Sequence, residues 1–177
     1  MVGIPLWLHC DSHALVLALA VALKLQKALE AEGAKVIMTR TTDKTVDNLQ
    51  RVLFYRDSTP HLLISIHLNS AADPYVPAAP ALFTATLVFK NLSHSIYQRM
   101  LELGLKEYGN IGSFNFMLNS PIEYPNALVE TLFISNPEDE MKILDENFQQ
   151  QMAEKMVQGV KDFWRGVKLI NRKAENV

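Results

Sequence analysis

An acid inside an apolar run is the first feature of this sequence that needs a chemical explanation. Glu130 sits in ALVETLF (127–133), with three apolar residues before it and Leu132-Phe133 close behind. A buried, unpaired carboxylate is costly, so such a group pairs with a cation, binds a metal or shifts its pKa. An ion pair with a nearby Lys or Arg, or a solvent-facing place near a strand end, accounts for it too. His67 closes LLISIH (62–67) and is followed by Leu68 and Asn69. A neutral imidazole at a strand end is a good metal ligand, and Asn69 is placed to orient it. A simple capped histidine is the competing reading.

A third group lies near the start: His9, Cys10, Asp11 and His13. His9 and His13 are four residues apart, which puts both on one face of a helix or lets both converge across a strand-to-helix turn. Many helices show this spacing by chance. The HExxH zinc-protease pattern is absent, because Cys10 stands where it needs a glutamate. There is no glycine-rich phosphate loop and no GxSxG nucleophile elbow.

These residues need elements to hold them, and the pattern is α/β. Ile4–His9 reads as a short strand ending on a histidine. Asp11 or Ser12 is a fitting N-cap for the next helix, whose apolar spacing (Leu15, Leu19, Ala22, Leu25, Leu29) runs to a stop at Gly33. Lys35–Thr39 reads as a strand. Val46–Asp57 reads as a helix on the spacing of Leu49, Leu53 and Phe54, broken at Ser58-Thr59-Pro60. Leu62–His67 is a continuous apolar run of the kind buried in a central strand. Residues 69–82 carry Pro74, Pro77 and Pro80 and read as a long loop.

Further along, Phe83–Phe89 reads as a strand, Ser93–Glu107 as an amphipathic helix, Phe114–Leu118 as a short strand and Ala127–Phe133 as a buried one. Helices near Glu138–Asp145 and Phe148–Val167 follow, and residues 171–177 read as a frayed tail. The expected architecture is one three-layer α/β domain over 1–177. Its mainly parallel twisted sheet carries helices on both faces, with ligands at the carboxyl ends of the strands.

Composition narrows the function classes. The 177 residues are 49% hydrophobic and 20% charged, enough apolar material for one full core. The net charge is −2, from 17 basic and 19 acidic side chains, so no basic field supports nucleic-acid binding. One cysteine excludes an internal disulfide and a Cys-rich zinc module. The apolar run at 14–25 meets Lys24 before reaching membrane-spanning length, and no Lys or Arg precedes it as a secretory leader requires. It reads as a core helix.

In combination, several stretches are more specific than any one of them. LKLQKALEAEGAKVIMTRTTD (23–43), Arg51 ahead of LLISIHLNSA (62–71), ALVETLFISNPEDE (127–140) and MAEKMVQGVKDFW (152–164) occur in this order. Together they resemble the zinc-dependent N-acetylmuramoyl-L-alanine amidases, which cleave between muramic acid and the stem peptide of peptidoglycan. The resemblance implies one zinc ion held by two histidines and a glutamate, with a separate glutamate as general base. By resemblance, His67 is the zinc-ligating histidine of SIHxN and Glu130 the catalytic glutamate of LVExxF. A nearby divalent cation would keep Glu130 ionised until it takes a proton from water. Asn69, Tyr75 and Asn119 are candidate substrate contacts, with Ser120 and Tyr124 beside the last. The implied substrate is peptidoglycan, and the implied location is the cell envelope, periplasmic or secreted.

The likeness weakens at the beginning. Family members open with a Gly-His-Gly turn and carry a zinc-ligating glutamate in the first turn of the next helix. Here that turn is missing, and counting back from Lys24-Leu25 puts the glutamate position on Ala14. Two accounts are open: His9, His13 and His67 form a three-histidine zinc site, or the site is incomplete. The second account describes a weakened or inactive amidase-fold protein that binds cell-wall peptidoglycan or a partner.

Overall fold

Burial decides most of the architecture, and the continuous apolar runs mark its centre. The computed structural model describes residues 2–3, 12–71, 81–84, 90–106, 109–112 and 123–174. In chain order the elements are β1 (Val2–Gly3), α1 (Ser12–Ala31), α2 (Asn48–Ser58), β2 (Leu63–Asn69) and β3 (Ala81–Thr84). Then follow α3 (Lys90–Leu101), β4 (Gly109–Gly112), β5 (Asn126–Phe133), α4 (Pro137–Leu144) and α5 (Glu146–Ala174). Among the described residues five strands form one sheet in the order β1-β2-β5-β3-β4. Three of the four pairings are parallel, and β3 runs antiparallel to β5. This is the expected α/β fold with a mainly parallel sheet.

Strand alternation divides the sheet's two faces. Ile64, Ile66, Ala127 and Val129 point to one side and join the main core with α1, α3 and α5. Leu63 points to the other and packs with Tyr55 of α2 and Tyr124. On the first side α5 packs against both α1 and α3, and Gly159 allows the closest approach. A Cβ at Gly159 would lie 2.5 Å from the Ile96 Cα, where nothing flexible can move aside. Helix α1 stops as expected: Gly33 takes φ 83°, and the Ala34 N–H donates to Leu29 O at 3.1 Å.

Several boundaries differ from the sequence reading. Residues 35–39 do not form a strand; Met38 alone makes a bridge. Val36 and Met38 pack on the main core and Ile37 on the smaller cluster, so the segment has a strand's alternation without its ladder. The helix expected over 93–107 spans Lys90–Leu101 and turns at Gly104, whose φ is 73°. The strand expected at 83–89 begins at Ala81, and β4 at Gly109–Gly112 has no counterpart in the sequence reading, its glycines hiding any β pattern. Helix α5 reaches Ala174, taking in the first residues of the 171–177 tail. The strands expected at 4–9 and 114–118 lie outside the described residues.

Candidate active site

The two chemically conspicuous strand residues meet. In the parallel pair β2–β5, His67 stands in register with Glu130, and parallel partners project to the same face. The His67 Nδ1 lies 3.8 Å from the Glu130 Oε1, close but too long for a hydrogen bond. Both residues are buried, and among the described residues neither His67 Nε2 nor Glu130 Oε2 has a hydrogen-bond partner.

The local chain explains why the pair is held there. Immediately after it the register slips: Asn69 pairs with Phe133, so β5 spends one residue more than β2. Such a bulge bends a strand and re-aims its side chains. The Thr131 hydroxyl, inside the bulge, donates to the His67 carbonyl at 2.9 Å. Beyond it the Ile134 N–H donates to Asn69 O at 2.9 Å, and the Ala71 N–H donates to Ser135 Oγ at 2.9 Å. Asn136 caps α4, accepting from the N–H groups of Glu138 and Asp139. Buried Asp139 takes the Phe133 N–H at 3.1 Å. The SIHxN and FISN segments are therefore two halves of one hydrogen-bonded turn that fixes the strand ends.

Burial sets the electrostatics. Desolvation, with the positive charge of Arg51 adding to it, pushes the His67 imidazole down to about 3, so the ring is neutral and its lone pair is free for a ligand. Desolvation pushes the Glu130 carboxyl up to about 8. A carboxyl raised this far keeps its proton at neutral pH unless a cation beside it favours the ionised form.

Arg51 is a site residue that sequence reasoning assigned no role. The leucines whose spacing marks α2 as a helix are not its buried face. Leu49 and Leu53 are 60% and 50% exposed, while Arg51 and Tyr55 are fully buried one turn apart. The available signal was the i, i+4 pairing of an arginine with a tyrosine ahead of a buried strand. Helix α2 is started by Asp47, whose carboxylate accepts the Leu49 N–H at 2.8 Å. It is ended by Thr59 at φ 43°. Tyr55 faces Ser65 of β2, and Arg51 reaches the neighbourhood of His67.

A second buried arginine, Arg40, lies within electrostatic reach of Arg51 and is tied down. Its Nη2 donates to Leu15 O at 2.6 Å, and its Nη1 to Thr42 O and Asp43 Oδ1, each at 3.4 Å. Leu15 belongs to the opening of α1. Arg40 thus ties the opening of α1 to the segment that follows it.

The other candidates fall as follows. His13 is in the first turn of α1, and Ala14 follows it in the same helix. His9, Cys10, Tyr75, Asn119 and Ser120 lie outside the described residues. Asn69 is half-buried, and its side-chain oxygen accepts the Ser70 N–H at 2.8 Å. Tyr124 is buried against Tyr55 and Leu63, and its hydroxyl is pushed up to about 12 by burial first and the Glu123 charge second.

The donor set can be tested against a zinc ion. Buried polar atoms are normally hydrogen-bonded, so orphaned His67 Nε2 and Glu130 Oε2 are fitting partners for a cation or its water. Among the described residues no group of three His, Cys, Asp or Glu is close enough to hold a metal. A catalytic zinc takes three protein ligands. His67 fits as one.

Residues 11–162 match the sequence family described as N-acetylmuramoyl-L-alanine amidase. The chain belongs to this family of peptidoglycan amidases. It is 28% identical over 161 residues to the germination-specific N-acetylmuramoyl-L-alanine amidase of Bacillus subtilis, covering 80% of this chain and 67% of that one. It is 33% identical over 150 residues to a probable cell wall amidase, LytH, of Staphylococcus epidermidis, covering 82% of this chain and 48% of that protein. The chain thus spans about half the length of the staphylococcal relative. The catalytic domain of CwlV, an amidase from Bacillus (Paenibacillus) polymyxa, superposes with a TM-score of 0.82 at 23% identity, over 93% of this chain and 97% of that one. That likeness is one of fold.

Proposed function

We propose that this chain hydrolyses the amide between N-acetylmuramic acid and L-alanine in peptidoglycan, with Glu130 as general base and a zinc ion bound at His67. The observation that supports it most is the in-register pair of a neutral imidazole and a raised carboxyl, 3.8 Å apart, both with unsatisfied atoms.

His9 and His13 complete the ligand set in this reading, in place of the first-turn glutamate whose position is Ala14. A zinc ion there supplies the Lewis acidity that makes water nucleophilic at neutral pH and polarises the scissile carbonyl. Glu130, ionised beside that charge, takes a proton from the attacking water. It then passes the proton to the alanine nitrogen as the C–N bond breaks, so the leaving group departs as a neutral amine. The muramyl side becomes a carboxylic acid, and its proton is lost to solvent. Asn69, Tyr75 and Asn119 are the proposed substrate contacts. Among the described residues no helix is long and apolar enough to cross a membrane. The substrate places the site of action in the cell envelope.

The test uses purified cell walls. The zinc-loaded protein is expected to release new alanine amino termini, to lose this activity on chelation and to regain it with zinc. Tight zinc without amide cleavage overturns the reading.

A further inference from the structure

The two buried arginines differ in a way that folding alone does not explain. Arg40 spends its donors on Leu15 O, Thr42 O and Asp43. Arg51, 1% exposed, has no hydrogen-bond partner at Nε, Nη1 or Nη2 among the described residues. A guanidinium stays charged in proteins, and isolating such a charge from water without a partner is strongly unfavourable. Tyr55 favours the Arg51 charge and Arg40 repels it, so among the described residues no full negative charge is sealed in beside it. Asp47, the acid within its electrostatic reach, is exposed and occupied in capping α2.

An arrangement that concentrates positive charge around a forked, unsatisfied donor is incomplete without an anion. The anion would share a site with His67 and Glu130, because the Arg51 charge is felt at His67 and both residues carry orphaned atoms, as do the neighbouring Tyr55 and Tyr124 hydroxyls. A planar carboxylate matches the guanidinium fork with two parallel hydrogen bonds. We propose that Arg51 is an anion-binding residue of the site and takes the carboxylate that amide hydrolysis creates from the scissile carbonyl. The identity of this anion rests on the proposed amidase reading; the demand for an anion rests on the unpartnered guanidinium. Arg51 is thus retained at the expense of stability, and the ligand supplies what the fold withholds.

The test compares binding of N-acetylmuramic acid, which carries the lactyl carboxylate, with N-acetylglucosamine, which lacks it, using the intact chain and its Arg51→Lys and Arg51→Met variants. The wild-type chain is expected to prefer N-acetylmuramic acid. Arg51→Lys keeps the charge but not the fork and is expected to weaken that binding about tenfold, and Arg51→Met about 10- to 100-fold, the size of a lost charge-assisted hydrogen bond. Arg51→Met, filling the same space without a charge, is expected to melt about 3–10 °C higher than wild type. A structural arginine predicts the reverse. Equal binding of the two sugars by wild type, or unchanged preference in both variants, overturns the inference. A wild-type chain that fails to cleave walls yet shows an Arg51-dependent carboxylate preference removes the amidase reading and leaves the anion site standing.

Discussion

The two faces of the sheet are built on opposite principles. On the α1/α3/α5 side, strand residues Ile64, Ile66, Ala127 and Val129 meet Leu, Val, Ala and Met side chains, and the layers close tightly enough that α5 needs a glycine against Ile96. On the α2 side the same strands present Ser65, His67 and Glu130, covered by long side chains, Tyr55 and Arg51, from a helix whose leucines face outward. The first face supplies the burial that holds the fold together. The second uses that rigidity to keep titratable groups dehydrated, which burial alone would not favour. Stability and chemistry are separated by the period of a strand: neighbouring residues on β2 and β5 serve one and then the other.

That contrast can be broken from either side. The largest expected effect is on the polar face. Glu130→Gln preserves shape and removes the base, so wall hydrolysis is expected to fall about 10²- to 10⁴-fold. Its metal-free melting temperature at pH 8 should be no lower than wild type, since burial already disfavours the charge. A destabilised variant would mean that the carboxylate is part of the scaffold.

On the apolar face, Ile66→Ala is expected to lower unfolding free energy by about 2–5 kcal/mol. Gly159→Ala, pressing on the α3 backbone, should cost about 1–3 kcal/mol. Denaturant unfolding measures both, and activity per folded molecule should stay at the wild-type level. Lost activity in fully folded Ile66→Ala would erase the division between the faces.

The pH dependence of the metal-free protein gives a smaller effect. Glu130 folds with its carboxyl near 8, above the ordinary 4.5, so its contribution is complete below pH 4.5 and is lost as pH rises through 8. His67 folds near 3, below the ordinary 6.5, so its contribution is complete above 6.5 and is lost as pH falls through 3. The two slopes oppose each other between 4.5 and 6.5. Urea midpoints of chelated protein should therefore peak there, with Glu130→Gln flattening the alkaline limb and His67→Gln the acid limb. The smallest effect is on the covering helix: Asp47→Ala removes the α2 cap and should cost about 1 kcal/mol.

The apolar face was legible in the sequence to a large extent. Runs such as LLISIH and ALVETLF announce buried strands by composition alone, and α1 shows its helical spacing and glycine stop. Segment 35–39 misled because its β-branched alternation describes how side chains pack, not whether a neighbour offers a ladder. Helix α2 misled more instructively. A stripe of leucines normally marks the inward side, but inward is defined by what the opposing layer presents, and β2 presents Ser65 and His67. Tyr55 and Arg51 suit that surface better than leucine does.

By itself the chain determined which residues would be chemically expensive to bury: a histidine closing one apolar run and a glutamate inside another, 63 positions later. It also specified the α/β alternation that sends strand ends to a common edge. Tertiary structure alone decided that these two strands are neighbours, that His67 and Glu130 share a register, and that Arg51, unpaired among the described residues, is buried within electrostatic reach of His67. Composition and local spacing are properties of a segment. Adjacency, register and the partnering of a buried charge belong to segments far apart in sequence, and these come into being when the layers close.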